Sequence, residues 1–149
     1  MNLENKQKKI CYVDMDNTLY DMKTPYLNAL AKNPEIKYPQ SQYGFFADLK
    51  LLPNALRAMT ILGYYYDVWI ATRPSYLNPL CYTEKRVCVE KTLGLSWVEK
   101  LIIIPNKGLL KGDFLIDDNL WPEFEGKQLL FNSELYPDWP SVVNELVIC

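Results

Sequence analysis

The sequence of 149 residues contains no histidine. Catalysis by Ser/His/Asp or Cys/His groups and phosphotransfer through histidine are therefore excluded, and acid–base chemistry must fall on carboxylates, lysine or tyrosine. A zinc site is not expected either, because the cysteines form no Cys-x-x-Cys pair. Cys81 and Cys88 lie two turns apart on one predicted helix, too far for a disulfide, so we expect reduced thiols in a cytoplasmic protein.

The sequence also lacks long hydrophobic runs. No segment approaches the roughly 18 apolar residues that a membrane span needs, and the polar start, residues 1–9, has no apolar signal core and predicts a frayed lead-in to the first strand. A net charge of −2 with scattered Lys and Arg predicts no general nucleic-acid binding. The length fits one compact domain over residues 1–149 and leaves a homodimer open.

Apolar runs of strand length alternate with helical patterns bounded by Pro, Asn and Gly. The predicted helices run from Pro53 to Gly63, from Pro79 after an Asn78 cap to Gly94, and from Asp138 or Trp139 onward. The predicted strands are residues 10–13, 64–71, 101–104, 114–116 and 128–131. This alternation predicts an α/β protein, a three-layer Rossmann-like parallel sheet of about five strands with right-handed crossovers.

Residues 20–50 fit this alternation poorly. The stretch contains three prolines and is too long for an ordinary loop, so it predicts a small cap inserted into the domain, with Pro25 starting a short helix. Such a cap would exclude water and contact whatever carries the reacting group. Its aromatic rings either offer a face for a nucleobase or fill the cap's own core; they are Tyr26, Tyr38, Tyr43, Phe45 and Phe46.

Two carboxylates, Asp14 and Asp16, lie where the first strand emerges into a loop. Residues i and i+2 of a strand share a face, and two like charges that close need a cation between them or a shared proton. The hard cation that suits oxygen ligands is Mg²⁺. Asp14 could then attack phosphorus while Asp16 moves the proton. By itself the pattern is also typical of calcium loops and solvated turns.

Two further polar clusters follow predicted strands. Thr72 and Arg73 can donate to a phosphate oxygen, and Asp117 and Asp118 supply acids, with Lys107 ten residues earlier. Because ligands of open α/β sheets bind outside the carboxyl ends of the strands, the three clusters are expected to converge. Each residue also has an ordinary structural interpretation, as a turn hydroxyl, a surface cation or a turn-capping carboxylate.

In this order, the motifs resemble the haloacid dehalogenase superfamily of phosphohydrolases, and more closely its 5′(3′)-deoxyribonucleotidases. Residues 45–55, 83–91 and 106–118 are similar to that family's aromatic segment, the helix after its second motif, and its third and fourth motifs. The resemblance implies Mg²⁺-dependent hydrolysis of a phosphomonoester through an aspartyl-phosphate. The implied substrate is a small-molecule phosphate ester, a nucleoside monophosphate or its deoxy form.

The resemblance also implies a set of site residues. The catalytic pair is Asp14 and Asp16, and the phosphate-binding residues are Thr72, Lys85 and Lys107. The metal residues are Asp14, Asp16 through its carbonyl, and Asp117 or Asp118, with Asp118 favoured; the substrate-binding rings are Phe45 and Phe46. Arg73 joins the phosphate-binding residues on its own chemistry, as a cation that follows a strand. The ranking of the two lysines stays open.

Departures from the family pattern keep the substrate open. Asn17 stands where these enzymes have Gly, which is acceptable because Asn tolerates left-handed backbone geometry. Arg73 replaces a small residue and could grip a phosphate or fill substrate space. The alternatives are a phosphatase for a nucleic-acid 3′-phosphate or a small sugar phosphate, and a non-catalytic phosphate-binding module whose acids are structural.

Overall fold

A computed structural model describes residues 6–147. The strands are β1 (Ile10–Val13), β2 (Tyr20–Asp21), β3 (Lys50–Leu51), β4 (Asp67–Thr72), β5 (Leu101–Ile103), β6 (Phe114–Asp117) and β7 (Lys127–Leu130). The helices are α1 (Lys23–Lys32), α2 (Ala55–Tyr65), α3 (Cys81–Leu93), α4 (Leu95–Val98) and α5 (Trp139–Val147), with 3₁₀ turns at Pro39–Ser41 and Lys107–Leu109. Within these residues no helix is long and apolar enough to cross a membrane.

Five parallel strands form the main sheet, in the order β5-β4-β1-β6-β7. The central strand β1 is apolar throughout because a strand buried on both faces has no solvent side to carry polar residues. The predicted α/β class, with a Rossmann-like parallel sheet of about five strands, is confirmed. All five strands point the same way, so their carboxyl ends share one edge of the sheet.

Side chains on the two faces of β1 enter two separate cores. Cys11 and Val13 join the larger core, which also contains residues of α2, α3 and α5. Tyr12 points to the opposite face and packs with Leu115 and Phe124 in a smaller core. The alternation follows from the two-residue period of a strand. The sheet is thus buried on both faces, while its carboxyl edge stays free for polar side chains.

The cysteines that the structure describes are Cys11, Cys81 and Cys88, and all three are buried free thiols, as expected. Burial raises the pKa of Cys11 to about 12 and that of Cys88 to about 11. These thiols therefore stay protonated at neutral pH, which makes them poor nucleophiles. Cys149 lies outside the described residues.

The predicted ends of α2 were wrong. The helix begins at Ala55 rather than Pro53 and continues through Gly63 to Tyr65, so Tyr64 and Tyr65 belong to the helix and not to the next strand. Glycine weakens a helix interior by about 1 kcal/mol. The helical hydrogen bonds nevertheless continue past Gly63, since the Tyr66 amide donates to the Leu62 carbonyl at 2.8 Å.

Two other helix starts also differ from the predictions. Helix α3 begins at Cys81, two residues after Pro79, because Asn78 first makes a turn in which its side chain accepts from the Leu80 amide. Helix α1 begins at Lys23, with Pro25 inside its first turn, where the missing amide proton has no helical partner anyway. Of the polar lead-in, residues 6–9 are exposed and form no helix or strand, and residues 1–5 lie outside the described part.

Short antiparallel pairing joins the two ends of the predicted cap. Tyr20 of β2 pairs with Leu51 of β3, and the segment between them carries α1 and the Pro39–Ser41 turn. Asn17, just before this segment, has φ 58°, which confirms the expected left-handed backbone. That residues 20–50 act as a cap stays a prediction.

Candidate active site

The carboxyl edge of the sheet gathers the predicted acids and the Thr72 hydroxyl. Val13 at the end of β1 pairs with Ile70 of β4 and with Ile116 of β6. The next backbone amide, that of Asp14, donates to the Ile116 carbonyl at 2.9 Å. Parallel register therefore brings the residues that follow each strand to one place, as the sequence predicted.

Lys107 bridges two of these acids. Its Nζ lies 2.5 Å from Asp14 Oδ1 and 2.6 Å from Asp117 Oδ2. Burial by itself would lower the pKa of Lys107, but the charges of the two carboxylates outweigh it and the pKa is raised. The lysine therefore stays charged. The second oxygen of Asp14 accepts from Thr18 Oγ1 at 3.0 Å, so both oxygens of this carboxylate are oriented.

Lys85 makes a second bridge around Asp16. Its Nζ donates to Asp16 Oδ2 at 2.8 Å and to both Thr72 Oγ1 and the Arg73 carbonyl at 2.6 Å. Lys85 and Thr72 are fully buried. Burial raises the pKa of Asp16, and the charge of Lys85 opposes this only in part. Asp16 is thus a carboxyl group that binds a proton more readily than an ordinary aspartate.

Three acids form a cluster that fits a divalent cation. Asp14, Asp117 and Asp118 each offer an oxygen, and these oxygens lie within 4.8 Å of one another. Burial, followed by a hydrogen bond with Asp14, raises the pKa of Asp118 to about 8. Burial and the charge of Asp14 also raise the pKa of Asp117. Each of these carboxylates makes it harder for its neighbours to ionise. A bound cation removes this repulsion, and a hard cation such as Mg²⁺ prefers oxygen ligands of this kind.

Asp117, the last residue of β6, and Asp118, the next residue, differ in how many other groups they contact. Asp117 accepts from Lys107 and from Trp121 Nε1 at 3.0 Å, and its other oxygen accepts from the Asn119 amide at 2.9 Å. Asp118 has a longer contact, 3.3 Å from Asn119 Nδ2 to Oδ1. The Asp16 carboxylate stands outside the acidic cluster and faces Lys85 instead.

A cavity of about 760 Å³ opens above these residues. Small-molecule sites measure about 300–1,000 Å³, so it has room for more than a phosphate group. Its floor includes Asp14, Asp16 and Lys107, and Arg73 stands exposed at its side. The predicted cap contributes Tyr38, Gln40, Ser41 and Phe46 to the opposite wall.

The two candidate aromatic rings have different positions. Phe46 lines the cavity but is only 1% exposed, and its ring centroid lies 4.9 Å from Lys85 Nζ. Phe45 packs edge-to-face on Phe46 at 4.9 Å and contacts the larger core instead of the cavity. Phe46 therefore touches the site, whereas Phe45 supports it from behind.

Several residues at the site were missed from the sequence. Trp121 lines the cavity and donates to Asp117. The sequence indicated its place at the site only through its position four residues after Asp117. Thr18 had a clearer signal, because it occupies the Thr position of the first motif. Gln40 and Ser41 carried no signal, since cavity-facing polar residues in an irregular segment follow no periodicity.

Comparison with known proteins gives matches to curated relatives and to solved structures, whereas no family model matches the chain. The chain is 36% identical, over 93% of its length and 85% of the relative, to a protein of Vibrio phage KVP40 provisionally named 5′(3′)-deoxyribonucleotidase. It is also 34% identical to the human cytosolic 5′(3′)-deoxyribonucleotidase over 67% of its length, where it spans only 47% of the relative.

Among solved structures, the class C acid phosphatase from Bacillus anthracis matches with a TM-score of 0.56. The sequence identity is 17%, and the match covers 95% of this chain and 62% of the phosphatase, so it supports the fold alone. The similarity to the phage protein extends over nearly the whole of this chain. The chain therefore belongs to the 5′(3′)-deoxyribonucleotidase family of haloacid dehalogenase-like phosphohydrolases and is a phosphoric monoester hydrolase.

Proposed function

We propose that the protein hydrolyses nucleoside monophosphates, including deoxynucleotides, through an aspartyl-phosphate on Asp14. The observation that carries the proposal is the fixed Asp14 carboxylate at the cavity floor, held by Lys107 on one oxygen and by Thr18 on the other. A nucleophile that is already oriented loses little freedom on the way to the transition state.

The reaction proceeds in two displacements. A carboxylate oxygen of Asp14 attacks phosphorus, the ester P–O bond breaks, and Asp16 gives its proton to the leaving oxygen. Water then attacks the phosphorus of the aspartyl-phosphate, Asp16 takes a proton from it, and inorganic phosphate leaves with the Asp14 carboxylate restored. The pKa of Asp16, which burial raises, supports its function as the proton donor of the first step.

Cations around the phosphate would offset its negative charge. Lys107 and Arg73 line the cavity, and Lys85 orients Asp16 and Thr72 from below. When bound, Mg²⁺ would add its charge at the phosphoryl oxygens. Asp14, the Asp16 carbonyl and one acid of the Asp117–Asp118 pair would hold it. Between these two acids Asp118 is favoured, because Asp117 accepts from Lys107, Trp121 and Asn119.

The nucleotide substrate rests on two further observations. The phage relative is provisionally named a 5′(3′)-deoxyribonucleotidase and covers nearly the whole chain. The cavity is also larger than a phosphate needs, and its outer wall includes the exposed ring of Tyr38 and the indole of Trp121. The preference for a 5′ or a 3′ ester stays open, and a cytoplasmic location, a homodimer and the lack of general nucleic-acid binding stay predictions.

An activity screen with variants of two aspartates tests the proposal. The wild-type protein with Mg²⁺ should hydrolyse nucleoside monophosphates faster than sugar phosphates or 3′-phosphorylated oligonucleotides. Asp14→Asn should lower kcat by about 10⁴-fold or more, because the amide cannot attack phosphorus. Asp48→Asn, at an exposed surface pair with Lys91, is the matched control and should keep full activity.

Two results would contradict the proposal. Normal turnover by a folded Asp14→Asn protein would exclude the covalent mechanism. A wild-type preference for sugar phosphates or for oligonucleotide 3′-phosphates would instead replace the nucleotide substrate while leaving the phosphatase chemistry in place.

A further inference from the structure

Three buried polar atoms on the side chains of residues 6–147 have no hydrogen-bond partner: Asp16 Oδ1, Gln40 Oε1 and Ser41 Oγ. All three residues line the same cavity. Folding disfavours a buried polar atom without a partner, so native proteins contain few of them. Their convergence on one cavity indicates that a bound molecule completes their hydrogen bonds.

The proposed phosphate chemistry does not use Gln40 or Ser41. Asp16 belongs to the acid–base step, but the other two residues lie in the 3₁₀ turn Pro39–Ser41, on the cap side of the cavity. Both have neutral side chains, whereas the floor below them carries carboxylates and lysines. A neutral amide and a hydroxyl are suited to the uncharged part of a substrate rather than to a second phosphate.

The backbone of this turn is held in place. The Ser41 amide donates to the Tyr38 carbonyl at 2.9 Å. Asn78, which is fully buried, donates through Nδ2 to the Gln40 carbonyl at 3.4 Å and to the Gln42 carbonyl at 3.2 Å. The two side chains are therefore presented from a fixed support, which lowers the entropy lost on binding.

We propose that Gln40 and Ser41 bind the leaving group of the substrate, and that they are specificity-determining residues for a neutral nucleoside. This inference rests on the proposed nucleotidase function. A glutamine amide offers an acceptor beside two donors, which matches the adjacent N–H donor and acceptor on the edge of a nucleobase. The Ser41 hydroxyl can donate to or accept from a second polar group of the same nucleoside.

Steady-state kinetics of Gln40→Leu and Ser41→Ala test this assignment. Gln42→Leu is the matched control, because Gln42 lies two residues away in the same segment, is exposed and does not line the cavity. Each protein is assayed with Mg²⁺ on p-nitrophenyl phosphate and on the ester that the wild type hydrolyses best in the screen. Inhibition by the free product alcohol and by inorganic phosphate is measured in parallel, together with the thermal midpoint.

We expect Gln40→Leu to lower kcat/KM on the nucleotide by about tenfold, mainly through KM, as one lost hydrogen bond implies. Ser41→Ala should act in the same direction. Turnover of p-nitrophenyl phosphate should stay within about twofold of the wild type, since its leaving group lacks the nucleoside. Inhibition by the free nucleoside should weaken while inhibition by phosphate does not change. The thermal midpoint should not fall, because the replaced atoms have no partner in the protein.

Equal losses on both esters, a lowered thermal midpoint in both variants, or an effect that Gln42→Leu shares would overturn the inference. So would unchanged kinetics in both variants. If the wild type prefers an ester other than a nucleotide, the proposed function fails, and the same comparison on that ester still decides whether Gln40 and Ser41 bind the leaving group.

Discussion

Lys85 and Lys107 contact different acids of the site. Lys107 joins Asp14 to Asp117, and Lys85 joins Asp16 to the Thr72 hydroxyl. Both lysines are buried, so water does little to stabilise the charges of these ion pairs. Removing one member of a buried ion pair leaves an uncompensated charge, which costs more than the pair itself contributes.

Replacing Lys85 by methionine should therefore affect stability and catalysis together. We expect Lys85→Met to lower the free energy of unfolding by about 3 kcal/mol, because Asp16 loses its cation. Activity should fall by about 10²-fold, since a protonated Asp16 cannot accept a proton from water. Urea unfolding and kcat measure the two effects.

The matched control is Lys91→Met on the same helix. Lys91 pairs with Asp48 at an exposed position, and such pairs contribute less than about 1 kcal/mol. Similar losses in the free energy of unfolding of the two variants would show that burial does not increase the contribution of Lys85 to stability.

The Asn17 position shows how far single residues could be predicted. The sequence indicated that an asparagine there would tolerate left-handed backbone, and φ is 58°. It gave no sign that Oδ1 of Asn17 accepts from the amides of Met22 and Lys23, both at 3.1 Å. Those bonds depend on the path of the chain between β1 and α1, which no local pattern encodes.

At the scale of elements, the five strands of the main sheet were predicted, whereas the short strands β2 and β3 and several helix ends were not. The apolar runs of β1, β4 and β6 lie between polar residues, and their order along the chain fixed which acids meet. Gly63 predicted a helix end, but the helix continues to Tyr65, although Tyr64 and Tyr65 are exposed. A single glycine costs a helix only about 1 kcal/mol, too little to fix where the helix ends.

The predicted cap, residues 20–50, is connected to α3 through the buried carboxylate of Glu84, which no sequence pattern indicated. Glu84 accepts from the backbone amide of Gly44, from that of Phe46 at 3.2 Å, and from Asn78 Nδ2 at 3.2 Å. The next residue is Lys85, which contacts Asp16. The same turn of α3 thus holds the cap segment and the lysine that orients the catalytic acid.

Glu84→Gln tests this connection. The amide of glutamine replaces one acceptor by a donor that faces backbone N–H groups, so the free energy of unfolding should fall by about 1–3 kcal/mol. Hydrogen exchange of the Gly44 and Phe46 amides should become faster. KM for a nucleotide should rise more than KM for p-nitrophenyl phosphate, because the cap wall is displaced while the floor is kept.

Glu90→Gln provides the control, as Glu90 lies on the exposed side of α3 in an i,i+4 pair with Arg86. Such helix pairs contribute about 0.2–0.5 kcal/mol. Unchanged protection of Gly44 and Phe46 in Glu84→Gln would show that other contacts hold the cap segment.

At the scale of the whole molecule, the acidic cluster exists only in the folded chain. Asp14 follows β1, while Asp117 and Asp118 come from the end of β6, about a hundred residues later in the sequence. A ligand that binds the native state but not the unfolded chain stabilises the native state. Metal binding should therefore be visible as thermal stability, independently of turnover.

We expect Mg²⁺ at about 100 times its dissociation constant to stabilise the protein by about 2.7 kcal/mol, which raises the thermal midpoint by about 5–10 °C. Asp118→Ala should remove most of this increase, and Asp48→Ala should keep it. The midpoint of the metal-free Asp118→Ala protein should not fall, because the raised pKa of Asp118 means that its charge opposes folding at neutral pH. EDTA should abolish turnover, and Ca²⁺ should stabilise the fold without restoring activity, because its larger, looser shell positions the phosphate poorly. Undiminished hydrolysis after thorough chelation, with a midpoint that Mg²⁺ does not change, would exclude the metal from this site.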